Sequence, residues 1–184
     1  MTDAHDENKT VHVEVEIPEH ADRVTTHLFS ESRREILKGN PVCWICGEPY
    51  SKESPLEAHH WIVERCLANM IDWTLLKEAC LAGDHGEAPK NFDWDKFFEG
   101  AEEIKYDAFT DDRGVKWPAG SYLQPKNVYM FVDDMTVNGK LLCKKHHIGK
   151  DEGIHSMTYP LWLAQRYGKP GYKFSDVEVI HHYE

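Results

Sequence analysis

The sequence predicts an α+β domain, and three observations carry that expectation. Val11, Val13, Val15 and Ile17 alternate with polar residues, the period-two pattern of a half-buried strand that Pro18 ends. Residues 64–83 place Leu67, Met70, Ile71, Leu75 and Ala79 near the helical period, with Gly83 to close the helix. Finally, Cys43-Trp-Ile-Cys46 and Cys143-Lys-Lys-His146 each hold two ligand-type side chains two residues apart, which would staple distant parts of the chain to one another.

Taken in order, residues 1–10 are too polar to pack and are expected as a disordered tail, with one domain over 11–184. Residues 27–40 suit a helix: Leu28, Ile36 and Leu37 can share a face, and Gly39 suits its C-terminal cap. A tight turn follows in "PVCWICGEPY", then a short extended "EAHHWIV", then the helix over 64–83. Residues 84–125 read as a mostly helical insertion, in which "NFDWDKFFEGAEEI" allows a short helix capped by Asn91 or Asp93. Its Phe92, Trp94, Phe97 and Phe98 are expected to pack against the core rather than to form a base-stacking platform. "NVYMFV" (127–132) is a strand candidate, 160–168 a helix started by Pro160, and "DVEVIHH" (176–182) a last strand to pair with 11–17.

No apolar run approaches the length of a membrane span, and the start "MTDAHDENKT" lacks the pattern of a signal peptide, so a cytoplasmic protein is expected. The net charge of −11 is unevenly spread. Residues 84–112 hold ten acidic and three basic side chains, whereas 113–170 hold nine basic and four acidic ones. The basic stretch can meet a phosphate backbone while the acidic one faces elsewhere. Both runs read equally well as ordinary solvated faces.

Five cysteines, two of them at metal-type spacing, argue against a disulfide framework; Cys66 and Cys80 sit in apolar surroundings and are expected as buried thiols. Cys43 and Cys46 can bite one Zn²⁺ from a tight turn that Gly47 helps to close. Cys143 and His146 supply the other two ligands, and four protein ligands leave no open position, so this zinc is structural. A thioredoxin-like redox pair is the alternative, but that motif belongs beside a βαβ pattern, whereas Gly47 and Pro49 follow here.

A second set of candidates surrounds the first. His59 and His60 are adjacent in the extended stretch, His147 follows His146 directly, and Asp151 lies four residues on, one helical turn from His147. Asn138 stands five residues before Cys143. With "CWIC", "EAHH" and "NGKLLCKKHH" in this order, the chain resembles the HNH endonucleases of the ββα-metal group, in the subset whose hairpin and helix are clamped by a zinc knuckle. The resemblance spans about residues 42 to 155. It implies that His59 and His147 bind a catalytic cation (Mg²⁺ or another divalent ion), more loosely joined by Asp151, that His60 is the general base, and that Asn138 braces the base-bearing loop. Two departures stand out: His146 replaces the commoner fourth cysteine, and residues 61–137 replace a short hairpin loop. Compact relatives of this kind are encoded by phages and mobile elements.

Elementary chemistry agrees with that division of labour. Neighbouring strand residues point to opposite faces, so one imidazole can ligate a cation while the other faces substrate and takes a proton from water. The implied activity is hydrolysis of phosphodiester bonds in nucleic acid, with DNA as the first expectation, and Lys140, Lys144, Lys145 and Lys150 as phosphate contacts. Two rivals stand beside it. One is a non-catalytic, zinc-stapled binding or regulatory protein, an inhibitor or nucleic-acid mimic that uses the acidic surface. The other, weaker, is a 2-His-1-carboxylate iron oxygenase built on His59, His147 and Asp151.

Overall fold

The structure is a computed structural model that describes residues 9–12, 24–149, 154–156 and 179–182. Its elements are β1 (Lys9–His12), α1 (His27–Ile36), β2 (Leu56–His60), a 3-10 helix (Arg65–Met70), α2 (Trp73–Ala82), α3 (Glu87–Lys90), α4 (Trp94–Phe97), β3 (Glu102–Tyr106), β4 (Phe109–Thr110), β5 (Lys116–Trp117), β6 (Gly120–Gln124), α5 (Tyr129–Val132), α6 (Met135–Asn138), β7 (Gly139–Cys143), α7 (Lys144–Ile148) and β8 (Val179–His182). The chain is α+β, with four separate antiparallel strand pairs: β1–β8, β2–β7, β3–β6 and β4–β5.

The pair that matters most is β2–β7. Leu56 stands opposite Cys143, His59 opposite Lys140 and His60 opposite Gly139, and α7 begins where β7 ends. Asn138, fully buried, locks the open end of this pair. Its side-chain oxygen accepts from the N–H groups of Ile62 (2.8 Å) and Val63 (3.0 Å), while its amide donates to the carbonyls of Val63 (2.8 Å) and Val132 (2.9 Å). Its own carbonyl accepts from Trp61 N–H at 2.7 Å. One side chain thus satisfies four backbone groups that burial would otherwise orphan.

Two apolar cores flank the hairpin. The larger gathers Trp73, Leu76, Trp94, Phe97, Phe131 and their neighbours, all buried. The smaller holds Cys43, Leu56, Leu141, Leu142 and Cys143, with Ile36, Leu37 and Ile154 packed against it. The aromatic residues of the insertion therefore pack, with Trp94 and Phe97 edge to face at a centroid distance of 5.6 Å.

Several expectations need correction. The helix over 64–83 is broken: Ile71 is extended, and Asp72 caps a new helix by accepting from Thr74 and Leu75 N–H. "NVYMFV" forms α5 instead of a strand, because Val128, Phe131 and Val132 bury one helical side and Asn127 accepts from Tyr129 N–H. The insertion is not mostly helical: α3 and α4 are single turns, and β3–β6 and β4–β5 supply the rest. In β3, half-buried Ile104 and Tyr106 alternate with exposed Glu103 and Lys105, a period of two carried by few apolar residues. Helix α1 stops at Ile36, and Gly39 takes a positive φ of 75° just beyond it. Strand β1 begins at Lys9, within the stretch expected as a tail, and pairs Val11 with Ile180. Residues 13–17 and the expected helix at 160–168 lie outside the described residues. Among the described residues no helix is long and apolar enough to cross a membrane.

Replacing Asn138 by alanine strands two N–H groups and two carbonyls in the core, each costing about 1–3 kcal/mol. Urea denaturation should report a loss of at least about 3 kcal/mol; a loss below about 1 kcal/mol would mean that Asn138 does not hold this loop.

Candidate functional site

Two ligand clusters sit at the two faces of α7. Consecutive helical residues are about 100° apart, so His146 and His147 turn in different directions from the same turn of helix.

The first cluster is made by the turn at 43–48 and the start of α7. Cys43 N–H donates to Glu48 carbonyl and Gly47 N–H to Cys43 carbonyl, both at 2.8 Å, and Gly47 takes a φ of 72° that suits glycine. Trp44 N–H donates to Leu141 carbonyl at 2.8 Å, which ties the turn to β7. The ligand atoms of Cys43, Cys46, Cys143 and His146 all lie within 4.8 Å of one another and could hold a metal such as zinc. Cys43 Sγ is 3.8 Å from His146 Nδ1, Cys46 Sγ is 3.9 Å from Cys143 Sγ, and Cys143 Sγ is 3.2 Å from His146 Nδ1. Two sulfurs bound tetrahedrally at about 2.3 Å are about 3.8 Å apart, whereas a disulfide needs about 2.05 Å. The donors therefore fit a shared ion and not an S–S bond. Burial raises the Cys43 thiol, but N–H groups of Cys143, Cys46 and Ile45 outweigh it and bring the thiol down to about 6. Cys66 and Cys80 are far less acidic: burial pushes the first up, and the second up to about 12.

The second cluster joins His59, His147 and His155, whose ring nitrogens also lie within 4.8 Å of one another. His59 and His147 rings are 5.1 Å apart between centroids, and His155 is 4.7 Å and 4.8 Å from them. His155 corrects the sequence reading, which left it out of the site; it arrives on a short turn over 154–156 whose Ile154 packs into the smaller core. Asp151 and Lys150 lie outside the described residues. Among the described residues the third donor here is an imidazole and not the carboxylate that the oxygenase reading requires.

The tautomers follow from the partners. His59 Nδ1 contacts the His60 carbonyl, and His147 Nδ1 contacts a carboxylate oxygen of Glu57. Both partners only accept, so both Nδ1 atoms carry the proton and both Nε2 atoms present a lone pair. His147 Nε2 lies 3.1 Å from His155 Nε2, and His59 Nε2 is buried without a hydrogen bond. Glu64 Oε1 is 3.2 Å from that His59 nitrogen but off hydrogen-bond geometry. Burial pulls His59 down to about 4, helped by the charges of His155, His147 and His60 and opposed by the His60 carbonyl. It is a neutral base in the folded state at pH 7. Metal-bound histidines commonly have this arrangement, with the remote N–H held by a carboxylate or carbonyl.

His60 occupies the other face of β2. Its ring packs near Phe29 at 5.9 Å, its side chain is only 14% exposed, and Nδ1 lies 3.8 Å from Glu64 Oε2. Its Nε2 lies 3.7 Å from Oδ1 of buried Asp133. Burial opposes ionisation of Asp133, but His60, Arg65 and Thr26 together hold its carboxyl below the usual range. The sequence reading turns His60 toward substrate; in the structure α1 and two carboxylates cover most of it. Glu57, Glu64, Asp133 and Arg65 were not among the sequence candidates. Only Glu57 had a local signal, since it precedes His59 by two residues on the same strand face.

Of the lysines, Lys144 and Lys145 are exposed on α7. Lys140 is half-buried, and that burial lowers its pKa.

Removing the Glu57 carboxylate with Glu57→Ala should weaken metal binding at the three-imidazole cluster about 10- to 100-fold, read by competition with a chromophoric chelator, and leave the cysteine cluster loaded. The pH dependence has a fixed sign. His59 titrates near 6.5 when unfolded and near 4 when folded, so the unfolded chain binds the extra proton. With no ion at this cluster, stability should be full above 6.5 and fall by roughly 3 kcal/mol as pH drops toward 4. Urea titrations across that range check it, and His59→Gln should flatten the fall.

Comparison with family models, with curated proteins and with solved structures gives no match for the chain, so the chemistry of the centre is argued from its own atoms.

Proposed function

We propose that the chain is a metal-dependent endonuclease that hydrolyses phosphodiester bonds of nucleic acid, DNA first, in the manner of the HNH enzymes its motifs resemble. The observation that carries this reading is the convergence of His59 and His147 lone pairs, with the next residue, His60, backed by a fixed carboxylate. The β2–β7 hairpin followed at once by α7 supports it as well.

In this reading Cys43, Cys46, Cys143 and His146 hold a structural zinc, since three thiolates and an imidazole suit that borderline-soft ion. His59, His147 and His155 would hold the second ion. Three nitrogen donors favour a transition metal such as Zn²⁺, Mn²⁺ or Ni²⁺ over Mg²⁺, which prefers oxygen. Such an ion would supply positive charge against the phosphate oxygens and the leaving group.

The chain's own groups do the rest. Asp133, fixed by Thr26 and Arg65, stands 3.7 Å from His60 Nε2, and Glu64 stands 3.8 Å from Nδ1; between these two carboxylates the imidazole serves as the base that accepts a proton from the attacking water. Asn138 fixes residues 61–63, the loop on which the angle of His60 depends. Lys144 and Lys145 are placed to contact flanking phosphates.

A second reading keeps the zinc staple and drops the chemistry. The observation that favours it is the cover over His60, by Phe29 on one side and Glu64 on another. Supercoiled plasmid incubated with Mg²⁺, Mn²⁺, Ni²⁺ or Zn²⁺ separates the two. The nuclease should cut with at least one ion, and His60→Ala should lose about 100-fold or more with metal content unchanged. Undiminished cutting by His60→Ala removes this mechanism, and plasmid left intact under every ion supports the binding protein.

A further inference from the structure

Beside the three-imidazole cluster lies a group of side chains of which the sequence expectation named only Lys140, as a phosphate contact. Lys140 stands opposite His59 in the β2–β7 register, and directly opposed residues project from the same face. Trp61 follows His59 by two residues, and its N–H continues the ladder onto the Asn138 carbonyl. Trp44 is presented by the cysteine turn, whose backbone is fixed to β7 through Leu141. The two indoles meet edge to face with centroids 4.2 Å apart. Lys140 Nζ sits 5.5 Å from the Trp44 centroid and 5.7 Å from that of Trp61.

Two features of this group ask for a ligand. The first is the charge of Lys140. Its ammonium is half-buried over π faces, and among the described residues no carboxylate pairs with it, in a chain that carries a net charge of −11. The complement it lacks is an anion. The second is the Trp44 ring, 48% exposed beside Ile45 at 55%, a large flat surface left open on a turn that a metal would stiffen. An anion and a flat aromatic held side by side, next to a site suited to phosphate, describe a nucleotide.

We propose that Lys140, Trp44 and Trp61 form a nucleotide subsite, in which Lys140 takes a phosphate oxygen and the open face of Trp44 stacks an unpaired base. This rests on the nuclease reading for one clause only: the adjoining phosphodiester of the same strand enters the three-imidazole cluster. A base stacked on an indole has left its neighbours, so the subsite selects single strands and frayed ends over intact duplex. Every base has a π face, so it selects no sequence. Trp61 is the positioning member, its edge against Trp44 fixing the angle of the stacking ring.

The test uses the full chain with its metals, eight-residue phosphorothioate oligothymidylate as the probe, and two companions: the same strand without bases, and a blunt duplex. Binding is followed by indole fluorescence. The oligothymidylate should quench and bind more tightly than the base-free strand. Trp44→Leu should weaken that binding by about 5- to 100-fold with metal content unchanged, while Trp44→Phe retains most of it. Lys140→Gln should weaken both single strands alike and reduce the salt slope by about one phosphate contact. Equal affinity of wild-type protein for the strands with and without bases overturns the proposal, whatever the variants do. So does full binding by Trp44→Leu. Trp44-dependent binding by a protein that leaves plasmid intact under every metal keeps the subsite and removes the nuclease, so the two claims fail separately.

Discussion

The centre depends on one constraint: β2 and β7, far apart in sequence, must pair in a single register. Side chains alternate along a strand, so a slip by one residue would exchange the faces of His59 and His60 and send the wrong imidazole toward His147. The fold locks the register at both ends. At one end Cys143, opposite Leu56, is drawn to Cys43 and Cys46 through the turn at 43–48. At the other, Asn138 grips the backbone of Ile62 and Val63 just past the end of β2. Between two such locks the pairing has no freedom to slide. The same pairing starts α7 at a fixed place, so that His146 and His147 separate between the two clusters.

What the sequence made legible is what short spacings encode. Cys43 with Cys46, Cys143 with His146, and the adjacency of His146 and His147 are local patterns, and local geometry decides where such residues can point. Asn138 was singled out only through the resemblance to a known family. His155 was not legible, because its place depends on Ile154 settling into the smaller core, a tertiary event no spacing reports. Glu64 and Asp133 were hidden for the same reason: Asp133, just before α6, reaches His60 because α6 folds back against α1. The break at Ile71 could have been read, since Asp72 before Trp73 is a capping residue, but a run of apolar residues at helical period masked it. "NVYMFV" failed differently: its β-branched and aromatic residues favour a strand, and burial of one helical side outweighed that preference.

The acidic insertion has a clearer place once its aromatic residues are followed inward. Phe92, Trp94 and Phe97 turn toward Trp73 and Phe131, and the carboxylates of this segment are exposed apart from Asp111. These three rings stabilise the larger core, whereas Tyr106, Phe109, Trp117 and Tyr122 of the same insertion lie outside it, with Phe109 stacked on Trp117. An exposed aromatic surface, Trp44, belongs to the cysteine turn instead.

The three-imidazole cluster has a simple organising rule. A neutral imidazole offers one lone pair, and the group behind the ring decides which nitrogen offers it. Glu57 decides for His147, the His60 carbonyl decides for His59, and Asp133 stands behind His60. These partners make neighbouring histidines chemically unlike: two present Nε2 inward, while the third lies between two carboxylates, Asp133 near Nε2 and Glu64 near Nδ1. Each of the three partners is itself held, Glu57 and the His60 carbonyl by β2 and Asp133 by Arg65 and Thr26. The difference among these imidazoles is therefore built into backbone and carboxylate positions.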